Sequence, residues 1–491
     1  MRALLAALLA AVLVAATPAG STPAPITAAA RNAWGFDRSD LTPHPRVRFG
    51  VLGNGMRYAV MANAVPAGAL SVRLRFDVGA LDEGERELGF AHIIEHMIFH
   101  GTENVPEGSL PMMLAQRGLK RWTDFNAFTS YDETLYRLDL RQSDGAARET
   151  ALVLMREIAG NLVFTRRTVT GAKRKVREEI DSRDAIQDRI ATAQNALIAP
   201  GTRIARGPVA GTKASVGRAD PRALLDLYKG SYVPGRATLV IVGDFDPAAV
   251  EAEVASRFSD WQTPAAPRPR ALLPAIGIRG PESSLLVDGD APTTVMIATA
   301  AALAAGGDTG GRRDSGFLER MGSGMLERRL ARITAAPDAP FLSASSEIYD
   351  HFSTARVASI DLAARNRDWR GALVRAEREL RCALDAGFSE PELAEQSASI
   401  RRALVPAPAS RTTPALADAI VDAAGRGIVF TEPADPAATA DYVSRVRLAD
   451  VNAAFSAAWS GPRLIFISHH RRIAAGEIAA ARAQAPTCKP L

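Results

Sequence analysis

The stretch Phe90-Ala91-His92-Ile93-Ile94-Glu95-His96-Met97-Ile98-Phe99 is apolar on nearly every side, yet it carries three ionisable groups. Its pattern predicts a helix. Residues four apart on a helix lie on one face, about 40° around from each other, so His92 and His96 present their imidazoles together, while Glu95 stands about 60° to the other side of His92. Three such groups on so apolar a helix carry a heavy desolvation cost unless something compensates them, and a metal ion would do so. A hydrogen-bonded cluster in the core is the other reading. With only 7 histidines in the chain, a His-x-x-Glu-His arises by chance in roughly fewer than one such sequence in a hundred. The chemistry agrees with the spacing, because a carboxylate beside a zinc site is placed to deprotonate a water whose acidity the ion raises toward neutrality.

His100 continues the same face one turn further on. A His96/His100 pair has no Glu between its members, and His92 and His100 are roughly 12 Å apart along a regular helix, too far for one zinc. His100 is therefore read as supporting or structural. Hydrolytic zinc takes a third protein ligand and keeps one position open. A helical pattern from Thr168 to about Leu197 contains Lys175-Val176-Arg177-Glu178-Glu179-Ile180. Measured from Val176, Glu179 lies about 60° away near the apolar side and Glu178 about 200° away on the polar side, so Glu179 is the better candidate. That both are surface carboxylates beside a basic run stays open.

Around these segments the chain reads as α+β. Val47 to Met61 gives two strands joined by Gly53-Asn54-Gly55, a strong hairpin signal. Leu70 to Val78 and Glu133 to Leu140 read as strands, Ala146 to Leu162 as a helix, and Ala237 to Gly243 as a strand before a helix from Pro247 to Phe258. Thr263 to Pro274 is rich in proline and has no periodicity, which makes it the best linker. Beyond it, Val446 to Arg482 repeats the order helix, Pro-Arg, apolar strand Leu464 to Ser468, Ala-rich helix, already met in Arg222 to Phe258. This weak internal repeat points to two homologous domains, each an antiparallel-rich sheet covered by helices, at residues 45–262 and 276–483 with a linker at 263–275. Two unrelated domains sharing a common pattern is the alternative.

A chain of 491 residues is long enough for two cores. Its 23% charged and 47% hydrophobic residues exclude disorder and a membrane bundle. The net charge of +5 is scattered among acidic residues, which argues against a nucleic-acid partner. Met1-Arg2 followed by the apolar run Ala3 to Ala16 has the form of a secretory signal, with cleavage after Ala16 or Ala19, so residues 1–19 are read as a leader and the mature chain as periplasmic or secreted. No later stretch is long enough to span a membrane. Two cysteines, Cys382 and Cys488, do not make a disulfide scaffold, and their separation in sequence leaves open whether they pair.

His92-x-x-Glu95-His96, the later Glu178-Glu179-Ile180, and Asp124-Phe-Asn126-Ala127-Phe128-Thr129-Ser130-Tyr131-Asp132-Glu133-Thr134-Leu135-Tyr136 together resemble the pitrilysin or insulinase family of inverzincins. The similarity extends to the Gly53-Asn54-Gly55 hairpin, Gly101-Thr102, Tyr232 to Gly243, and Leu326 to Leu330 with Ala339-Pro340-Phe341. The resemblance implies a two-domain half-clamshell and one zinc per chain held by His92, His96 and Glu179, with Glu95 as general base of an endopeptidase. It also implies a strand near the metal on which a peptide adds by backbone hydrogen bonds, making Asn126, Ala127 and Phe128 candidate substrate contacts. Glu179 stands somewhat further from His96 than is usual in the family. Ala172 occupies a position, seven residues before Glu179, that is often glutamate. The facing half, which in the family supplies arginine and tyrosine groups to the substrate carbonyl, has no matching motif. A homodimer or a second half-length subunit is the expected source, and a non-catalytic scaffold or binding subunit is the alternative function.

Overall fold

The computed structural model describes residues 25–116, 124–264, 266–270, 276, 280–404, 411–485 and 488. The leader read at residues 1–19 lies outside the described residues, as do positions 265 and 271–275 of the linker.

Six strands, β1 (Val47–Val51), β2 (Arg57–Ala62), β3 (Leu70–Phe76), β4 (Phe125–Thr129), β5 (Thr134–Leu140) and β6 (Ala237–Gly243), form one sheet in the order β1-β2-β6-β3-β5-β4. Five more, β7 (Glu282–Val287), β8 (Thr294–Ala301), β9 (Phe341–His351), β10 (Ala355–Ala364) and β11 (Leu464–His469), form a second in the order β7-β11-β8-β10-β9. Without β1, the two orders coincide. In each sheet the late strand, β6 or β11, runs parallel to one neighbour and antiparallel to the other. The helix–strand–helix likeness seen in the sequence thus belongs to two sheets of one topology.

Sequence alternation sets the faces of the first sheet. Leu70, Val72, Leu74 and Phe76 of β3 enter the main core beneath the helix Phe90–Met97. Ser71, Arg73 and Arg75 point to the other face and are buried as well.

What covers that second face comes from the far half of the chain. Leu416, Ala417, Ile420 and Val421 of the helix Thr413–Arg426 pack on Phe49, Leu135, Val240 and Val242. The exchange is reciprocal, since Ile190, Leu197 and Ile198 pack on Met296, Ala298, Val357 and Phe466 of the second sheet. This crossing corrects one expectation. The pattern from Thr168 to Leu197 is two helices, Arg166–Ser182 and Ala185–Ile198. Asp184 separates them, its Oδ1 accepting from Ile186 N at 3.0 Å and Gln187 N at 3.3 Å. A side chain that caps new N–H groups in this way starts a second helix in a new direction. Cys382 and Cys488 form a disulfide with Cα atoms 5.0 Å apart, pinning the end of the chain to the helix Trp369–Asp385.

Candidate metal centre

The helix Phe90–Met97 starts at Gly89, whose φ of +91° favours glycine and where a Cβ would lie 2.7 Å from Ala210 O. Its first N–H groups are met by Glu83, 1% exposed, which accepts from Gly89 N at 3.0 Å and Ala91 N at 2.9 Å. Burial pushes the Glu83 carboxyl up to about 8, against the opposing pull of those two N–H groups. The helix is held at its start by a buried carboxyl group six residues upstream, beyond the usual capping positions, which is why the sequence carries no signal for it.

His92, Glu95 and His96 are all buried on this helix. The Nε2 atoms of His92 and His96 are 3.3 Å apart. The helix Arg166–Ser182 brings Glu179 across both, with Oε2 at 3.2 Å from His92 Nε2 and Oε1 at 3.3 Å from His96 Nε2. Burial alone would raise the Glu179 carboxyl, but hydrogen bonds from His92 and His96 and their charge hold it well below the ordinary range. Among the described residues, these three form the one group of three or more His, Cys, Asp or Glu side chains whose ligand atoms lie close enough to share a metal ion.

The donor set fits zinc. Two ligands each about 2.1 Å from one ion at a tetrahedral angle are about 3.4 Å apart, close to the spacing observed. Two imidazoles and a carboxylate are a usual hydrolytic set, and the Glu179 side chain, 38% exposed, leaves one side open to solvent. Glu95 Oε2 lies 3.9 Å from His92 Nε2, beside the three donors, and accepts from Thr129 Oγ1 at 2.8 Å.

His100 does not join the group. It ends the turn Ile98–His100, 3.7 Å from Glu107, with its ring where a Cβ on Gly171 would sit. Glu178 points away to Lys175 at 2.7 Å. Ala172 is fully buried in the apolar core, so no carboxylate stands behind the site at that position.

β4 is the edge strand of the first sheet. Ser130 N bonds Glu133 O and Asp139 N bonds Asp124 O, so the alternation of antiparallel pairing turns the main-chain groups of Phe125, Ala127 and Thr129 toward the open edge. Their side chains share the face of the His-bearing helix. Asn126 and Phe128 lie on the opposite face, where Phe128 lines a cavity of about 290 Å³ with Leu135 and Asp418. The Ala127 N–H is occupied by the Asn126 Oδ1 at 2.9 Å. Thr129, which sequence reasoning did not single out, is the residue of this strand that reaches Glu95, and alternation with Ala127 was the signal available.

A family model described as Insulinase (Peptidase family M16) matches residues 58–206, and one described as Peptidase M16 inactive domain matches residues 218–298. The probable zinc protease PqqL of Haemophilus influenzae is 31% identical over 207 residues, which are 42% of this chain and 22% of that protein. The match thus spans about a fifth of that relative's length. The first half of the periplasmic protease PqqL from Escherichia coli superposes with a TM-score of 0.78 at 19% identity, covering 92% of this chain and 99% of that one. The full-length protease gives 0.79, again with 92% of this chain but 51% of the other. At that identity the likeness establishes a shared two-domain fold.

Proposed function

We propose that this chain, which insulinase-family models match over residues 58–206 and 218–298, is an exported, zinc-dependent endopeptidase of that family acting on peptides or unfolded segments. The observation that carries the reading is the convergence of His92, His96 and Glu179 with Glu95 at their side. His92, His96 and Glu179 would hold the zinc, which when bound would supply Lewis acidity for the scissile carbonyl and for a water near neutral pH. Glu95 takes the proton from the attacking water and returns it to the leaving amine. Thr129 holds the Glu95 carboxylate in position for both steps.

The substrate lies extended along β4, where the outward main-chain groups of Ala127 and its neighbours accept it as an added strand. It displaces the Asn126 amide from the Ala127 N–H and sets its own side chains alternately over the metal face and the Phe128 face. Recognition by main-chain groups reads extended shape more than sequence. Residues 45–262 are the catalytic domain and 276–483 its partner domain, with export to the periplasm supported by the relative of that location. Among the described residues no helix is long and apolar enough to cross a membrane. This chain covers half of the full-length solved protease, and a second copy or a second half-length subunit is the proposed source of the facing wall of the clamshell.

The test is zinc content and cleavage of a quenched, unstructured peptide library by the purified chain beside Glu95→Gln. One zinc in each, with cleavage by the wild type alone, supports the reading. Zinc without cleavage by either points to the scaffold or binding-subunit role, and failure to bind zinc overturns the assignment.

A further inference from the structure

Away from the metal centre, the end of the helix Trp369–Asp385, the turn between the helix Leu448–Ala458 and β11, and the helix Ala475–Ala483 surround an open cavity of about 430 Å³. At its base Glu377, 2% exposed, accepts on a single oxygen, Oε1, from Arg381 Nε at 3.3 Å and Arg482 Nη2 at 3.0 Å. Its Oε2 has no hydrogen-bond partner among the described residues. The same is true of the Nε1 of Trp459, 1% exposed, and of the Arg482 Nε. Arg463 sits 5.2 Å over the Trp459 ring and donates to main-chain oxygens, of Trp459 at 2.8 Å and Gly461 at 3.1 Å, with no carboxylate partner among the described residues. Burial lowers the Arg463 guanidinium from its ordinary value; Glu377 opposes that, and Arg482 and Arg381 reinforce it.

Two guanidinium groups therefore bond one buried carboxylate while a third, that of Arg463, belongs to the same cavity lining, as does the exposed Asp385. A buried donor left unmatched is unfavourable, and two of them belong to Trp459 and Arg482, residues that line this cavity beside an excess of positive charge. Guanidinium groups offer planar, paired N–H donors suited to the oxygens of phosphate. The free Glu377 oxygen adds a constraint. It repels a fully deprotonated anion and is satisfied by a ligand that still carries an O–H.

We propose that this cavity binds a phosphate group that keeps one proton, either free hydrogen phosphate or the monoanion of a phosphomonoester: Arg463, Arg482 and Trp459 donate to its oxygens and Glu377 accepts its proton-bearing hydroxyl. Sulfate has the same shape and charge but no proton at neutral pH, so Glu377 disfavours it.

The test uses the full chain at constant ionic strength, with thermal shift and calorimetry against inorganic phosphate, glycerol 3-phosphate and sulfate. Inorganic phosphate should raise the melting temperature saturably and bind about tenfold or more tightly than sulfate, the loss of one charge-assisted hydrogen bond accounting for such a factor. A matching response to glycerol 3-phosphate identifies a monoester as the ligand, and a response to inorganic phosphate alone identifies free phosphate. Arg463→Gln should lose the phosphate response, read against its own melting temperature in chloride, and Glu377→Gln should remove the preference over sulfate. Should Glu377→Gln not fold, Arg463→Gln and the sulfate comparison still decide. No saturable response below about 10 mM phosphate, a millimolar limit on useful affinity, or equal responses to both anions that survive Arg463→Gln, would overturn the proposal.

Discussion

Thr129 Oγ1 donates to Glu95 Oε2 at 2.8 Å, so the edge strand that borders the candidate metal centre also holds the carboxylate proposed as its base. Replacing Thr129 by valine keeps the shape and removes the donor. A hydrogen bond to a charged group contributes about 1.5–3 kcal/mol, so kcat/KM should fall about tenfold to a hundredfold with zinc content unchanged. A loss of zinc in the same variant would show that Thr129 supports the metal rather than the base.

Glu83 is expected to matter through the His-bearing helix. Glu83→Ala leaves two buried N–H groups, of Gly89 and Ala91, without their acceptor. It should cost about 1–3 kcal/mol of stability, measured by urea unfolding, and raise the dissociation constant for zinc because His92 and His96 ride on that helix. Wild-type zinc affinity in a destabilised variant would sever the link between cap and metal.

Arg73, fully buried, is bonded to Asp139 at 2.9 Å and to Asp418 at 2.7 Å, and Asp418 also reaches Arg137. Asp418 lies on the helix Thr413–Arg426, so this pair fastens the second half of the chain to the first sheet. Because Asp418 is partly exposed and Arg73 keeps Asp139, Asp418→Asn should cost only about 1–2 kcal/mol, below the range for a fully buried pair. Proteolysis near that helix, slow in the wild type, should become fast. Unchanged resistance would mean that Leu416, Ile420 and their neighbours hold the helix unaided.

Glu392 accepts from Arg329 and from Ser389 N. Burial raises its carboxyl, but Arg329 and Ser389 together bring it down to about 2. A depressed value means that its contribution is present above about pH 4.5, the unfolded value, and is lost as pH falls toward 2. Glu392→Gln should therefore be less stable than the wild type at pH 6, with the difference shrinking on acidification. A difference that stays constant between pH 6 and pH 3 would rule this out.

The sequence alone determined the local elements of the candidate site. The period of the segment from Phe90 to Phe99 required a helix, and helical spacing alone set His92 and His96 on one face. The Asn-Gly turn, the alternating strands and the repeated helix–strand–helix pattern likewise depend on neighbours in the chain. Tertiary structure decided whatever depends on distant residues. No periodicity announces that Asp184 turns one predicted helix into two, because a capping aspartate and a surface aspartate look alike in sequence. The exchange of helices between sheets follows from that break and from buried faces complementary only in three dimensions. Cys382 and Cys488 meet across 106 residues, and Glu83 reaches back to a helix it does not adjoin. Whether Glu179 or Glu178 faced the histidines was readable as a preference of helix faces; that its oxygens stand 3.2 and 3.3 Å from the two nitrogens depends on how two helices pack, and packing is a property of the whole core.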